Sequence, residues 1–204
     1  MWKTILDLFF PKYCLNCNQE GNFICYSCFK KLPLNAKPAL NNLLMASYYQ
    51  NPLVKKAIHC FKYDFVKDLS KPLSLLMVKK LEKKNIKNPI LIPIPLHKKR
   101  LRWRGFNQAE LLAQEIGNKL NIPVINDVLI RTKHTLPQMK IKSSEQRKEN
   151  IKQAFALSEE VNLSNKTLIL IDDISTTGAT LEQAAKVLKQ LKPKKILKLV
   201  IAQG

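Results

Sequence analysis

The sequence predicts an α/β protein in which a parallel sheet is flanked by helices and preceded by a small four-cysteine zinc module. From about residue 36 onward, apolar segments with strand character alternate with amphipathic segments of helical period, which is typical of parallel sheets. Four of the five cysteines form two Cys-x-x-Cys pairs near the N-terminus. The 204 residues, 46% of them hydrophobic, leave room for one main domain and a small appendage. The expected division is a zinc module at 1–35 and an α/β domain at 36–204.

The zinc module is predicted from the pairs CLNC (Cys14 and Cys17) and CYSC (Cys25 and Cys28). Four thiolates on two tight turns suit the tetrahedral coordination of Zn²⁺, and a reducing compartment favours metal over disulfides. Disulfides, an iron–sulfur cluster and a redox pair remain open alternatives at this stage. Structural zinc is the expected cofactor.

After the segment KLPLNAKP, helix and strand signals alternate to the C-terminus. Asn51 and Ser70 stand at the starts of two amphipathic segments and are expected as N-caps. The polar stretch 131–150 has no clear period, and such long loops in compact domains are often lids or binding segments. The expected helices are 51–61, 70–84, 106–120 and 178–191, and the expected strands are 89–96, 123–130, 153–157, 166–171 and 194–202.

The formal net charge of +20 is compatible with a nucleic-acid partner but does not establish one. Thirty of the 35 basic residues are Lys spread along the chain, a pattern that an A+T-rich genome would produce without selection for binding. The Arg residues are more informative, because Arg100, Arg102 and Arg104 stand together in RLRWR and Arg suits planar recognition of phosphate. The adjoining turn, residues 104–107, either binds a ligand or only caps the following helix.

No apolar stretch reaches the roughly 18 residues that a membrane span needs, and the N-terminus lacks the uninterrupted apolar core of a signal peptide. A cytoplasmic protein without a transmembrane segment is therefore expected. Trp2, Ile5, Leu6 and Phe9 share one helical face, which would either dock onto the protein or make a peripheral contact with the inner face of the cytoplasmic membrane.

The five glycines exclude two common nucleotide-binding loops, because neither GxGxxG nor GxxxxGK[ST] occurs in the sequence. In LILIDDISTTGAT, residues 168–180, an apolar strand instead ends in Asp172 and Asp173 and leads through a hydroxyl-rich turn into a helix. Backbone N–H groups at the helix start, with Thr hydroxyls and Gly178, form a phosphate pocket. The acids would repel that phosphate unless a ribose lay between, donating its hydroxyls to them, and bound Mg²⁺ would reduce the repulsion further.

LILIDDISTTGAT is similar over its whole length to the phosphoribosyl-pyrophosphate (PRPP) motif of type I phosphoribosyltransferases. The wider order of features resembles the ComF family with its competence-associated ComFC and GntX-like members. These features are, in chain order, the paired CxxC, PIPLHKKRLRWRGFNQAELLA, SSEQRKENIKQAF and the PRPP motif. This resemblance covers nearly the whole chain. It implies a type I phosphoribosyltransferase fold at 36–204 and a role in natural competence and DNA uptake.

The resemblance also implies a role for each part of the site. Asp172 and Asp173 would hold the ribose hydroxyls as catalytic residues, and a catalytic loop at 131–150 would contribute Lys142 and Arg147, with Lys140 as an alternative. Mg²⁺ is expected to accompany PRPP. The 5′-phosphate would contact Ser175, Thr176, Thr177, Gly178, Ala179 and Thr180, and the pyrophosphate would contact a turn of His97, Lys98, Lys99 and Arg100.

Two functions are compatible with these expectations. In the first, an enzyme displaces pyrophosphate at the anomeric carbon of PRPP through a transition state resembling an oxocarbenium ion, and a variable hood within 36–85 selects the acceptor. In the second, a non-catalytic protein senses PRPP or a nucleotide and binds single-stranded DNA beside proteins of the uptake machinery, with aromatics near basic stretches, such as Trp103, stacking on bases. Both functions can hold at once on different faces.

Overall fold

The computed structural model describes residues 11–34, 42–132, 154–158 and 161–204. Within these ranges, short 3₁₀ helices occupy Lys67–Leu69 and Lys189–Leu191. The α-helices are α1 (Tyr26–Lys30), α2 (Pro52–Tyr63), α3 (Ser70–Leu81), α4 (Lys98–Arg104), α5 (Gln108–Leu120) and α6 (Ala179–Leu188). The strands are β1 (Leu43–Met45), β2 (Pro89–Pro93), β3 (Leu129–Arg131), β4 (Phe155–Leu157), β5 (Thr167–Ser175) and β6 (Lys195–Gln203).

A parallel sheet with the strand order β1-β6-β5-β2 forms the centre of the described fold. The apolar run of β5 is buried on both sides of this sheet, since Leu168 and Leu170 belong to one core cluster and Ile169 and Ile171 to the other. Parallel strands covered by helices on both faces read as continuous apolar runs. The predicted α/β class is therefore confirmed.

The helices divide between the two faces of the sheet. The cluster containing Ile169 takes most of its helical side chains from α2, α3 and α5, and α3 packs on α5. The cluster containing Leu168 is covered by α6, which also packs against β4. In the described ranges, no helix has the length and hydropathy needed to cross a membrane.

The predicted strand 123–130 is split in the structure. Its first residues run beside β2, where the Leu91 amide donates to the Pro123 carbonyl at 2.9 Å and the Ile125 amide donates to the Leu91 carbonyl at 3.0 Å. After the polar pair Asn126 and Asp127 the chain leaves this edge, and β3 pairs antiparallel with β4 in a separate two-stranded sheet. The expectation of one continuous strand was wrong because these polar residues interrupt the pairing.

The helix starts agree only in part with the predictions. The Asn51 side chain accepts a hydrogen bond from the Val54 amide at 3.1 Å, so it caps α2 as expected. Ser70 is instead the first residue of α3, whose N-cap is Leu69. The predicted turn after residue 96 is the start of a short helix, α4, which His97 caps by accepting from the Lys99 amide at 3.2 Å.

The cysteine region packs directly on α2. Cys28 and Leu32 belong to the same hydrophobic cluster as Leu53. The Lys56 ammonium donates to the carbonyl of Leu15 at 3.0 Å, which adds a polar link between the two segments. The expected division near residue 36 falls in 35–41, outside the described residues.

Candidate functional site

A cavity of about 370 Å³ opens where the chain leaves the carboxyl ends of β2 and β5. Ligands of open parallel sheets bind at this edge, because the loops that follow adjacent strands converge there. Residues from the β5 motif, from α4, from α2 and from β3 all line the cavity. The predicted site residues among them are Arg100, Asp172, Asp173, Thr176 and Thr180.

The two acids occupy the last part of β5, and local hydrogen bonds fix their orientation. The Asp173 amide donates to Asp172 Oδ1 at 2.8 Å, and the Ile174 amide donates to Asp173 Oδ1 at 2.6 Å. Asp172 is half-buried and Asp173 is buried. Lys62 Nζ, which comes from α2, lies 2.8 Å from Asp173 Oδ1 in an ion pair that is itself largely shielded from solvent.

Burial and the neighbouring acid change the titration of Asp172. Burial first, and then the negative charge of Asp173, raise the pKa of Asp172 to about 7. The positive charges of Lys62 and Arg131 act in the opposite direction, as does the hydrogen bond from the Asp173 amide. Asp172 therefore changes charge near neutral pH, within reach of any ligand in the cavity.

The turn after β5 leads into α6 through a left-handed residue. Gly178 has φ of 78° and precedes α6, a conformation that costs a residue with a Cβ about 1–2 kcal/mol. The C-terminal segment supports the turn, because the Gly204 amide donates to the Ser175 carbonyl at 2.9 Å and Gln203 Nε2 donates to the Thr176 carbonyl at 3.4 Å. The Ser175 hydroxyl is buried and has no hydrogen-bond partner among the described residues.

The predicted phosphate-binding residues divide into two groups. Thr176 and Thr180 line the cavity, whereas the other four members of 175–180 are not among the lining residues. Thr177 Oγ1 accepts from the Ala179 amide at 3.4 Å, which places its hydroxyl at the first turn of α6. Amides at a helix start have no carbonyl partner one turn earlier, which is why helix N-termini commonly bind anions.

The predicted pyrophosphate segment contributes one cavity residue. Arg100 lines the cavity, and burial followed by the nearby Arg104 lowers the pKa of its guanidinium. Lys98 and Lys99 are exposed and are not among the lining residues, while His97 caps α4. The structure thus places Arg100, but not the two lysines, at the cavity that the acids line.

The turn at 104–107 both caps a helix and lines the cavity. Gly105 ends α4 with φ of 72°, and Asn107 caps α5 by accepting from the Ala109 amide at 3.1 Å. Arg104 and Asn107 also line the cavity, where Arg104 Nη1 donates to Gln108 Oε1 at 2.8 Å. The guanidinium lies 5.7 Å from the centre of the Tyr63 ring. The turn therefore caps α5 and also lies at the cavity, and its binding role stays a prediction.

Lys62, Tyr63, Gln108 and Arg131 line the cavity and were not singled out from the sequence. Arg131 could have been selected from the sequence as a candidate, because Arg is rare in this Lys-rich chain. Lys62 could not have been selected, since nothing in the sequence distinguishes it from the other Lys residues, thirty in all. The predicted loop residues Lys140, Lys142 and Arg147, and the N-terminal apolar face of Trp2, Ile5, Leu6 and Phe9, lie outside the described residues.

The four predicted metal ligands converge in the N-terminal part of the described chain. The Sγ atoms of Cys14, Cys17, Cys25 and Cys28 all lie within 4.8 Å of one another. Ligands about 2.3 Å from a tetrahedral zinc ion would be separated by nearly 4 Å, and Cys17 and Cys25 Sγ are 3.6 Å apart. Asn16 Nδ2 donates to Cys28 Sγ at 3.3 Å, the kind of outer contact that orients a thiolate ligand. The donor set fits zinc.

Comparisons with known proteins agree with this architecture. The family described as phosphoribosyl transferase domain matches residues 74–203. Competence protein F of Haemophilus influenzae is 32% identical over 191 residues, covering 89% of this chain and 80% of that protein. The chain belongs to the ComF family.

Two further relatives extend the match. Competence protein ComFC of Bacillus subtilis is 30% identical over 197 residues, covering 81% of this chain and 77% of its own length. DNA utilization protein YhgH of Escherichia coli is 28% identical over 169 residues, covering 80% of this chain and 70% of its own length. The chain thus has a type I phosphoribosyltransferase domain and a four-cysteine cluster within a family named for competence and DNA utilization.

Proposed function

We propose that the cavity binds PRPP and that the protein is a phosphoribosyltransferase acting in natural competence and DNA uptake. One observation supports this proposal most strongly. Arg100, from the segment after β2, lines the same cavity as Asp172, Asp173, Thr176 and Thr180, from the segment that ends β5. These are the groups that a ribose joined to a phosphate and a pyrophosphate requires: acceptors for hydroxyls, donors for an anion and a cation for the leaving group.

Each group has a separate task in this proposal. Asp172 and Asp173 accept hydrogen bonds from the ribose hydroxyls, and the segment 175–180 binds the 5′-phosphate through backbone amides and the Thr176 and Thr180 hydroxyls. The pyrophosphate lies toward the His97–Arg100 segment. Mg²⁺ arrives with PRPP as part of the substrate and stabilises the charge on its pyrophosphate.

The proposed reaction is a substitution at the anomeric carbon. The bond to the pyrophosphate oxygen breaks and its electron pair leaves with pyrophosphate, while a lone pair of the acceptor forms the new bond. The ionised acids stabilise the positive charge that develops on the sugar, and Arg100 stabilises the departing anion. Lys142 and Arg147, with Lys140 as the alternative, remain proposed contributors from the loop 131–150. The four cysteines hold a structural zinc ion, and the protein acts in the cytoplasm.

Calorimetry with Mg²⁺ and PRPP, followed by a pyrophosphate release assay over a panel of acceptors, tests the proposal. The double variant Asp172→Asn, Asp173→Asn should weaken PRPP binding by about tenfold or more, since both acceptors lose their charge, while zinc content and the circular dichroism spectrum stay unchanged. Asp127→Asn, at an exposed acid outside the cavity, is the matched control. Equal PRPP affinity in the double variant and the wild type would contradict the ribose role.

A second candidate function is the binding of single-stranded DNA, alone or beside PRPP binding. Trp103 is 60% exposed and Phe65 is 40% exposed, and their rings meet edge to face at 5.3 Å. Arg104 lies 5.7 Å from the Trp103 ring centre. Exposed aromatic rings beside cations, on a chain with a net charge of +20, suit base stacking along a phosphate backbone.

Fluorescence anisotropy of a labelled thymidine oligonucleotide at several salt concentrations tests this candidate. Affinity should fall steeply as salt rises, because phosphate contacts release counterions. Trp103→Ala should weaken binding by about fivefold or more, since one stacked base contributes roughly 1–3 kcal/mol. Leu75→Ala, at an exposed apolar residue on α3 that has no ring, is the control. An affinity that stays the same as salt rises and is unchanged in Trp103→Ala would exclude DNA binding at this surface.

A further inference from the structure

Lys62 is the one lysine in the described part of the chain that lines the cavity. It is the penultimate residue of α2, and this helix places it beside the acids of β5. Its Nζ atom lies 2.8 Å from Asp173 Oδ1, and the two side chains are only 17% and 8% exposed. An ion pair so shielded from solvent holds its geometry, because separation would leave one charge buried without compensation.

The charges that line the cavity favour an anion even without a metal ion. Four cations line the described part of it, Lys62, Arg100, Arg104 and Arg131, against two acids, Asp172 and Asp173. The formal sum is therefore +2 when both acids are ionised and +3 when one is protonated. In many phosphate sites a divalent cation offsets the repulsion between carboxylates and phosphate. Here a cation of the chain itself already contacts one carboxylate.

We propose that Lys62 takes the place of a divalent metal at the acid pair, so that the cavity binds a ribose 5-phosphate group without Mg²⁺. The ammonium neutralises Asp173 and leaves its second carboxylate oxygen, with Asp172, to accept the ribose hydroxyls. The monophosphate then meets the segment 175–180 without facing two uncompensated negative charges. The ligand class is a ribose 5-phosphate ester, including nucleoside 5′-monophosphates.

This inference rests on the proposed function and narrows it. The proposed function gives the metal to the pyrophosphate of PRPP, which carries more negative charge than the cavity can neutralise. A ligand without pyrophosphate lacks that requirement. The affinity for PRPP should therefore require Mg²⁺, whereas the affinity for ribose 5-phosphate should be the same with and without it.

Isothermal titration with ribose 5-phosphate, in Mg²⁺-free buffer without a chelator and in the same buffer with Mg²⁺, tests the proposal on the full chain. EDTA is avoided because it would remove zinc from the four cysteines. The wild type should bind in the absence of Mg²⁺, with an affinity that Mg²⁺ changes by less than about twofold. Lys62→Met should lose about tenfold in metal-free affinity and recover part of it when Mg²⁺ is added, since a lost ion-pair partner leaves a buried carboxylate uncompensated. Lys62→Arg, which keeps the cation, should retain metal-free binding.

Lys71→Met is the matched control, because Lys71 is exposed on α3 and lies outside the cavity while the change in net charge is the same. Thermal melting of each variant establishes that it is folded. Wild-type binding that requires Mg²⁺, or equal metal-free affinity in Lys62→Met and the wild type, would overturn the inference. If Mg²⁺ and PRPP bind while metal-free ribose 5-phosphate does not, only this inference fails. If neither ligand binds under any condition, the proposed function fails as well.

Discussion

The substitution Asp172→Asn should make the protein more stable, and the gain should grow with pH. Burial, and then the charge of Asp173, raise the pKa of Asp172 from its ordinary value of 3.8 to about 7. The groups that face this carboxyl are Asp173 on β5, Lys62 on α2 and Arg131 on β3. Between the two pKa values the folded chain holds a proton that the unfolded chain has released. The free energy of unfolding therefore falls as pH rises through this range.

The magnitude follows from the size of the shift. Each pKa unit corresponds to about 1.4 kcal/mol, so three units give about 4 kcal/mol, or about 2–4 kcal/mol after allowance for solvent around this half-buried side chain. The stabilisation from the protonated acid is complete below pH 3.8 and is lost as pH passes 7. Asn cannot ionise, so the advantage of Asp172→Asn over the wild type should increase by about 2 kcal/mol between pH 5 and pH 8.

Urea unfolding followed by circular dichroism at several pH values in this range measures the difference. The four-cysteine cluster is common to both proteins, so its own pH dependence cancels in the comparison. Asp127→Asn, which removes an exposed carboxylate outside the cavity, should keep a constant difference from the wild type. A constant difference for Asp172→Asn as well would refute the assignment of Asp172 as a half-buried acid whose pKa lies near neutral pH.

Three further predictions concern backbone geometry and the metal. Gly117→Ala should destabilise the fold by about 1–3 kcal/mol in urea unfolding, because the new Cβ would lie 2.8 Å from the Ile122 carbonyl oxygen; an unchanged midpoint would contradict this packing. Gly178→Ala should cost about 1–2 kcal/mol and weaken PRPP binding in calorimetry, since φ is 78°; binding as tight as wild type would exclude the turn from the phosphate site. Cys28→Ser should lower zinc content in a metal assay and raise hydrogen exchange near Leu32 and Leu53, whereas full zinc occupancy would contradict the ligand assignment.

The parts of the fold that a local pattern specifies were predictable. β5 was found because an uninterrupted apolar run leads into Asp172 and Asp173, and a fully covered parallel strand requires that run. β1 had no comparable signal. It is only three residues long, Leu43–Met45, and is defined by its pairing with the edge of β6. The sequence of such a short strand carries too few positions to show a period.

The parts of the site that depend on tertiary packing were not predictable. Thr176 and Thr180 reach the cavity from the motif that predicted them. Lys62 reaches it because α2 packs over the sheet, and its partner Asp173 is far away in the sequence. Lys98 and Lys99 were expected at the pyrophosphate, yet the segment folds into α4 and leaves them exposed. Which basic residues line the cavity thus depends on the side of a helix on which each one lies. A sequence rich in Lys does not show this, because Lys occurs on every side.

The measurement that tests the central proposal most directly is phosphorus NMR of PRPP with Mg²⁺ and the purified protein, before and after nucleobases and single-stranded DNA are added. Binding at the cavity should shift or broaden the PRPP resonances, and a transferase should release free pyrophosphate with one of the additions. The variant Asp172→Asn, Asp173→Asn should restore the resonances of free PRPP. PRPP resonances that stay unchanged at a protein concentration equal to that of PRPP would contradict a PRPP site in this cavity.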